Sequence, residues 1–365
     1  MTGLTDRLDA LRAKMEDTGT DLVVLGAGAH LGWLTGVRPH ADERPCLAFV
    51  SQAEAAFLMP ALEAESVRTQ TDLPFHEWSD DQGPDAALDR LLAALGAKTA
   101  GSIVLDETMR ADHAALVSEA LPGAVRRFTA DTVGALRMRK DENEYAALKR
   151  NAQIADDAMK TAWAAMRPGM SETQVAQVVR ETFARHGAKP LFTIVGAGPN
   201  GAYPHHHTGD TVLKEGDAVV MDIGAGSEGY SSDITRMALI GGGPEGYAEV
   251  HAVVERAVQA ALDAARPGVK AHAVDDAARR VIAEAGYGEY FVHRTGHGLG
   301  TEVHEPPFIT ASAQSVLDEG MVFSIEPGIY LPGRFGIRLE EIVILRAHGP
   351  EILSDLPRDP ERIDG

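Results

Sequence analysis

The stretch AVVMDIGAGSEGYSSDITRMALI, residues 218–240, places a glycine-rich turn between two runs of apolar and β-branched residues. That pattern predicts a β-hairpin with its turn at residues 224–229. The midpoint between Asp222 and Asp233 falls between Ser227 and Glu228, inside the predicted turn. We therefore expect their carboxylates to lie opposite one another on neighbouring strands, on one face of the hairpin.

A second stretch, MVFSIEPGIYLPGRFGIRLEEIVIL at residues 321–345, repeats this arrangement around the turn PGRFG, residues 332–336. Gly333, inside that turn, is the midpoint between Glu326 and Glu340, so they too should face each other across a hairpin. Arg338 precedes Glu340 by two positions and therefore shares its face of the strand.

These four carboxylates lie in strands that otherwise consist mainly of Val, Ile, Met and Phe. A buried, unpaired carboxylate costs several kcal/mol, so each acid must be protonated, paired or bound to a metal ion. Salt bridges or solvated strand ends would explain any one of them. Only Arg236 and Arg338 are close basic neighbours in the sequence, however, and two facing acidic pairs together favour a metal site.

A candidate imidazole ligand lies in TGHGLG, residues 295–300, where His297 stands between two glycines. A histidine in a glycine-rich loop is often only a loop residue. Beside four acids, however, this imidazole suits Mn²⁺, Co²⁺ or Zn²⁺ in a two-metal site. His304 follows in the segment VHE.

Two other motifs have competing interpretations. GAGSEG at residues 224–229 matches the G-x-G-x-x-G pattern of dinucleotide binding, which requires a following helix, but residues 230–240 predict a strand. His205 opens a run of three histidines just before the first acidic hairpin. This run is either an exposed cluster, a metal-binding tract or a group on the substrate side of the site.

Chain length and element pattern predict two domains. Residues 1–132 alternate between helical and strand-like segments, which predicts a small α/β domain. Residues 133–365 predict an α+β domain that opens with one long helical stretch over residues 133–166. A capping pattern at residues 171–174 predicts the start of the next helix.

Composition limits the classes of partner. The chain has 54 acidic and 34 basic residues and a formal net charge of −20, which disfavours nucleic acid and anionic membranes as partners. Cys46 is the single cysteine, which excludes intrachain disulfides and fits a cytoplasmic location. We also expect no secretory signal and no membrane span, because the chain lacks an apolar run of suitable length.

In order and local context, these residues resemble the metal ligands of the creatinase/prolidase-like, or pita-bread, metallopeptidases, in particular bacterial and archaeal prolidases. HLGWLTG at residues 30–36 is similar to a segment of the family's N-terminal domain. The five presumed ligands are Asp222 in MDIGA, Asp233 in SSDITR, His297 in TGHGLG, Glu326 in IEPGIY and Glu340 in IRLEE.

The resemblance implies an α/β N-terminal domain followed by an α+β pita-bread catalytic domain that binds two divalent metal ions. Asp222 would hold one ion, and His297 and Glu326 would hold the other. Asp233 and Glu340 would bind both ions. A water molecule shared by the two ions would become hydroxide near neutral pH and attack the scissile carbonyl.

The resemblance also implies roles around the reacting bond. Glu326 would accept the proton of the attacking water. His205 and His304 match substrate-side histidines that stabilise the tetrahedral intermediate and the leaving group. Arg338 would orient Glu340 or contact the substrate. Members of the family form homodimers, so we expect a homodimer here.

One position departs from the pattern. Several prolidases have an arginine four residues after the second histidine, where it binds the free carboxylate of a dipeptide; here that residue is Phe308. Arg44 is our candidate replacement, because residues 37–44 resemble a loop that reaches the partner's active site in family dimers. A surface position for Arg44 is equally open.

The leading hypothesis is a metal-dependent Xaa-Pro dipeptidase, with small Xaa-Pro peptides as substrates. The alternative is an Xaa-Pro aminopeptidase that trims longer peptides, which Phe308 favours, whereas the short hairpin between the two glutamates favours the dipeptidase. A metal-free creatinase-type C–N hydrolase and a non-catalytic binding protein are further options. The five intact ligands disfavour both.

Overall fold

The computed structural model describes residues 3–364. The chain divides into two compact units. The units are Met1–Arg137 and Met138–Gly365. The extreme ends of the two expected domains, residues 1–2 and 365, lie outside the described residues. The first unit extends past residue 132 because Val133 is buried in the N-terminal core.

The N-terminal unit is an α/β domain built on a six-stranded mixed sheet. Its strands are β1 (Leu22–Leu25), β2 (Leu47–Ser51), β3 (Ala55–Pro60), β4 (Phe75–Trp78), β5 (Ser102–Leu105) and β6 (Val125–Phe128). Its helices are α1 (Leu4–Thr18), α2 (Ala29–Thr35), α3 (Ala61–Arg68), α4 (Asp85–Ala94), α5 (Ala111–Ala120) and α6 (Val133–Arg137). The sheet order is β4-β3-β2-β1-β5-β6. The central strands are buried on both faces, because separate apolar clusters cover the two sides.

The C-terminal unit is an α+β domain with two five-stranded sheets. The first sheet contains β7 (Lys189–Ala197), β8 (Ala218–Ser227), β9 (Tyr230–Ser231), β10 (Ile234–Ile240) and, from the end of the chain, β18 (Glu361–Ile363). The second contains β11 (Gly296–Gly298), β12 (Glu305–Ile309), β13 (Val322–Ile325), β16 (Glu341–Arg346) and β17 (Gly349–Ile352). Strands β14 (Gly328–Leu331) and β15 (Phe335–Arg338) form a separate ribbon.

Helices cover the sheets of this unit in two pairs. The apolar faces of α7 (Glu142–Ala165) and α8 (Glu172–Arg185) share one core with strands of the first sheet. Those of α9 (Tyr247–Ala264) and α10 (Ala271–Glu284) share another, chiefly with strands of the second sheet and the ribbon. The acidic hairpins are thus supported from behind by packed helices, which fixes the strands that carry them.

The prediction of one long helical stretch over residues 133–166 is wrong in one respect. The stretch consists of two helices, α6 and α7, which are separated by residues 138–141. The cause is Asp141, whose carboxylate accepts hydrogen bonds from the backbone N–H groups of Asn143 (2.9 Å) and Glu144 (2.8 Å). The Glu144 side chain accepts in turn from the Asp141 N–H at 2.9 Å. This capping box starts a new helix rather than continuing the previous one.

The capping pattern predicted at the start of α8 is confirmed. Ser171 Oγ accepts from the Gln174 N–H at 3.2 Å, and Gln174 Oε1 accepts from the Ser171 N–H at 2.8 Å. None of the helices within residues 3–364 is both long and apolar enough to cross a membrane.

Replacement of Asp141 by Ala should lower the free energy of unfolding by about 0.5–2 kcal/mol, because the first N–H groups of α7 lose their acceptor. Urea denaturation monitored by circular dichroism measures the change. Gln153→Ala, an exposed substitution in the middle of the same helix, is the control and should change stability by less than about 0.5 kcal/mol. Equal effects of the two substitutions would contradict the capping role.

Candidate metal centre

The first acidic hairpin turns at Glu228 and Gly229, both of which have positive φ angles (53° and 81°). Strand β8 therefore runs further than predicted, and Thr235, not Asp233, pairs with Asp222. The expectation that the two aspartates lie directly opposite one another is wrong. Asp233 is two residues before Thr235, so it still shares the face of Asp222 but lies diagonally across from it.

The strand pairing also decides between the two interpretations of the glycine-rich motif GAGSEG in this hairpin. Residues 224–227 belong to β8, and the chain then enters β9 and β10 without forming a helix. The dinucleotide interpretation fails for the reason expected, since no helix N-terminus is available there to bind a phosphate.

The second acidic hairpin keeps its predicted register but is split into two strand pairs. Ile325 pairs with Glu341 on one side of the split, and Gly328 pairs with Arg338 on the other. Both pairings share one turn centre, so Glu326 lies across from Glu340 as predicted. The two glutamates occupy the gap between the sheet and the ribbon, just outside the regular strands.

The structure brings the predicted site residues of the C-terminal unit together around one cavity of about 560 Å³. All five candidate ligands line it, and so do three further predicted residues, His205, His304 and Arg338. Ligand atoms of Asp233, His297 and Glu340 all lie within 4.8 Å of one another.

His297 is held so that its Nε2 atom faces the acidic side chains. Its Nδ1 lies 3.1 Å from the backbone oxygen of Gly298, a contact that orients the ring. Nε2 lies 3.2 Å from Glu326 Oε1 and 3.8 Å from Asp233 Oδ2. Ser324 Oγ accepts from the His297 N–H at 3.0 Å.

The glycines beside His297 allow close backbone packing around a buried residue. His297 is only 3% exposed, so it does not lie in an open loop. A Cβ atom at Gly296 would lie 1.9 Å from the backbone oxygen of Ser324, and one at Gly298 would lie 2.3 Å from that of Pro306. Glycine is required because the neighbouring backbones pass so close.

A polar network joins the two hairpins and leaves one oxygen of each of two acids without a partner. Arg338 donates to Asp222 Oδ2 and, at 3.1 Å, to Thr235 Oγ1. Thr235 donates at 2.9 Å to Glu340 Oε2, so Arg338 reaches Glu340 through Thr235. Among residues 3–364, the buried atoms Asp222 Oδ1 and Glu340 Oε1 have no hydrogen-bond partner. Buried oxygens of this kind suit a cation.

The electrostatics of the cluster show a shortage of positive charge. Burial, together with the charge of Glu340 and then of Asp222, raises the pKa of Asp233 well above its usual range. Burial and the charges of Glu326 and Asp222 raise the pKa of Glu340 in the same way. For Glu326, the effect of burial is outweighed by the His297 imidazole, and its pKa falls to about 2. Divalent cations with carboxylate and imidazole ligands would supply the missing charge.

The predicted histidines have separate environments. The ring of His304 lies against that of His297, with the centroids 4.1 Å apart, and burial with the nearby His297 lowers the pKa of His304 to about 4. Of the triple-histidine run, His205 lines the cavity, whereas His206 Nε2 lies 2.8 Å from the buried carboxylate of Glu172.

Sequence reasoning missed four polar residues of this centre, Thr235, His293, Arg294 and Tyr330. Thr235 was recognisable by its position two residues after Asp233, which places it on the same face. His293 lies four residues before His297, and its Nε2 is 2.8 Å from the hydroxyl of Tyr330. That hydroxyl also accepts from Arg338 at 2.8 Å.

Arg44 lies in the N-terminal unit, where acidic neighbours surround its guanidinium group. It donates to both carboxylate oxygens of Asp80, at 3.0 and 2.9 Å, and to Glu43 at 2.9 Å. Its suggested role in substrate binding stays a prediction.

Comparison with known proteins gives matches along nearly the whole chain. Residues 146–347 match the model of metallopeptidase family M24, and residues 7–139 match the creatinase/prolidase N-terminal domain. The chain is 39% identical over 360 residues to the probable dipeptidase PepE of Mycobacterium tuberculosis strain H37Rv, covering 97% of this chain and 95% of that protein.

Two further matches have similar coverage. The Xaa-Pro dipeptidase of Pyrococcus furiosus is 32% identical over 360 residues, covering 98% of this chain and 99% of that protein. The crystal structure of dipeptidase PepE from Mycobacterium ulcerans has a TM-score of 0.94 at 37% identity, covering 99% of this chain and 98% of that one.

Replacement of Asp233 by Asn should stabilise the metal-free protein at pH 8. The pKa of Asp233 is raised by folding, so its ionisation costs stability as pH rises above the unfolded value of about 3.9. The gain in melting temperature, roughly 2–4 °C for each kcal/mol, should disappear near pH 4. Differential scanning fluorimetry in chelator measures it.

The matched control for this substitution is Asp359→Asn, at an exposed position. It should leave the melting temperature unchanged at both pH values. A destabilised Asp233→Asn protein at pH 8 would contradict the shortage of positive charge inferred for the site.

Proposed function

Because this chain belongs to metallopeptidase family M24 and carries the creatinase/prolidase N-terminal domain, we propose that it hydrolyses the peptide bond before proline in Xaa-Pro dipeptides. The expected family, pita-bread fold and enzyme class are confirmed, so the chain is a metallopeptidase. The main support for the reaction is the cavity itself, in which five candidate ligands converge and two buried carboxylate oxygens lack a protein partner.

The dipeptide substrate is supported by the named relatives and by the dimensions of the site. Proteins described as dipeptidases and as an Xaa-Pro dipeptidase align with this chain over almost their full lengths. A cavity of about 560 Å³ is of a size that encloses a small molecule. Both observations favour a small peptide over a long chain.

Two divalent ions per chain, of Mn²⁺, Co²⁺ or Zn²⁺, are the proposed cofactors. Asp222 would hold one ion, and His297 with Glu326 would hold the other. Asp233 and Glu340 would bind both. In support, the raised pKa values of Asp233 and Glu340 indicate acids that lack sufficient positive charge.

When bound, such ions polarise a carbonyl group and lower the pKa of a bound water molecule to near neutrality. Glu326 is ionised at pH 7, since its pKa is about 2, and so can take a proton from the attacking water. The proline nitrogen has no hydrogen and must receive a proton to leave as an amine. We propose that Glu326 returns that proton.

His304 and His205 are proposed to contact the substrate around the reacting carbon. The low pKa of His304, about 4, keeps its imidazole neutral at pH 7, with one N–H to donate. Both rings line the cavity, so such a donor can stabilise the tetrahedral intermediate. Arg338 is proposed to orient Asp222 directly and Glu340 through Thr235.

We further propose that the protein acts in the cytoplasm as a homodimer. The cytoplasmic location is supported by the single, buried cysteine, which gives no disulfide framework. The dimer is supported by the similarity of residues 37–44 to a loop that reaches the partner's site in related dimers. In such a dimer, Arg44 would bind the substrate carboxylate.

A specific observation supports Xaa-Pro aminopeptidase activity as a second candidate. Phe308 is 39% exposed and pairs with His297 across two strands, and it carries no charge to bind a dipeptide's carboxylate. A longer peptide has no free carboxylate after proline and would need no such partner.

Hydrolysis of Leu-Pro, Leu-Pro-Gly and Leu-Gly, measured by amino-acid analysis with Mn²⁺ or with chelator, tests the reaction. We expect cleavage of Leu-Pro that requires both metal and proline, with at least tenfold lower kcat/KM for Leu-Gly. Cleavage of Leu-Pro-Gly alone would assign the aminopeptidase reaction. Inactivity towards all three with metal bound would contradict a proline-specific peptidase.

Replacement of Glu340 by Ala should remove an acid that both ions share and reduce kcat by about 10³-fold or more. Metal content measured by mass spectrometry should fall from two ions per chain to one or none. The control is Glu341→Gln, which alters the neighbouring acid on the opposite face and should keep both ions. Full activity of Glu340→Ala would contradict the two-metal assignment.

A further inference from the structure

The active-site cavity contains a positively charged side chain that the proposed mechanism does not use. Arg294 lines the cavity and is half-buried. The other arginine there, Arg338, has its guanidinium N–H groups committed to Asp222, Thr235 and Tyr330. Among residues 3–364, no carboxylate lies within ion-pair distance of the Arg294 guanidinium, so its charge remains available to a ligand.

The position of Arg294 is fixed by an aromatic ring. Strand β12 pairs with β11, which sets Phe308 across from His297. The guanidinium carbon of Arg294 lies 4.9 Å from the centroid of the Phe308 ring. An arginine that covers an aromatic ring in this way keeps the edges of its guanidinium group free to donate hydrogen bonds.

We propose that Arg294, supported on Phe308, binds the free C-terminal carboxylate of the dipeptide and so selects dipeptides over longer peptides. This inference rests on the proposed function. A dipeptide brings one more carboxylate into a cavity already lined by four, so it needs an unpaired cation to enter. The planar fork of arginine matches a carboxylate with two parallel hydrogen bonds.

Arg44 is the competing candidate for this role, and the contacts of the two arginines differ. Arg44 already donates to Asp80 and Glu43, so a substrate carboxylate would have to displace these acids. Arg294 needs no such displacement. Phe308 carries no charge, but its ring positions Arg294 from the neighbouring segment. The carboxylate of the dipeptide can therefore still be bound by an arginine.

The test compares Leu-Pro with its C-terminal amide, which differs only in lacking the negative charge. Arg294→Gln should raise KM for Leu-Pro by roughly 10- to 100-fold, the usual range for a charged hydrogen bond, and leave KM for the amide unchanged. Arg294→Lys should restore part of the difference. Arg334→Gln removes an exposed arginine that covers Phe335 outside the cavity, and should change neither substrate.

Binding of the same two ligands to chelator-treated protein, measured by calorimetry, separates this inference from the proposed reaction. Wild-type protein should prefer Leu-Pro to its amide, and Arg294→Gln should lose that preference even if no hydrolysis is observed. Equal affinity of the wild type for both ligands would overturn the inference. So would a preference that survives in Arg294→Gln or that is lost in Arg44→Ala instead.

Discussion

The mutual repulsion of buried carboxylates is the constraint on which the C-terminal unit depends. Asp222, Asp233, Glu326 and Glu340 converge where two hairpins meet, and within residues 3–364 only one arginine, Arg338, pairs directly with any of them. In a medium of low dielectric constant, such a cluster is unfavourable without added cations. The raised pKa values of Asp233 and Glu340 express this repulsion directly. The fold supplies enough packed structure behind the hairpins to hold the acids together despite it.

Strand alternation decides which acids join the cluster. Glu340 and Glu341 are adjacent, so they point to opposite sides of the chain. Glu341 Oε1 lies 2.9 Å from Arg236 Nη2 and 3.3 Å from Arg358 Nη1, so Glu341 is part of a structural ion-pair network. Thr235 and Arg236 divide in the same way, with Thr235 bound to Glu340 and Arg236 bound to Glu341. Adjacent residues therefore alternate between the face of the strand that lines the site and the face that forms the structural ion-pair network.

The segment around His304 is held by a second buried pair. Lys140 Nζ lies 2.6 Å from Glu305 Oε1, and both side chains are 2% exposed. This pair connects the residue that follows His304 to the segment just before α7. A fixed His304 keeps its ring against His297, and the close approach contributes to the low pKa of His304. Stability and chemistry are thus linked through two adjacent residues, His304 and Glu305.

The sequence by itself determined the strand pairs, the five candidate ligands and the opposition of Glu326 and Glu340, because turn position and alternation act over short distances. It did not determine the register of Asp222, since a positive φ at Glu228 moved the turn, nor the break before α7, which the Asp141 cap creates. Only the tertiary structure placed His293 and Arg294 at the same cavity and Tyr330 against His293, because those contacts join segments whose separation no local pattern encodes.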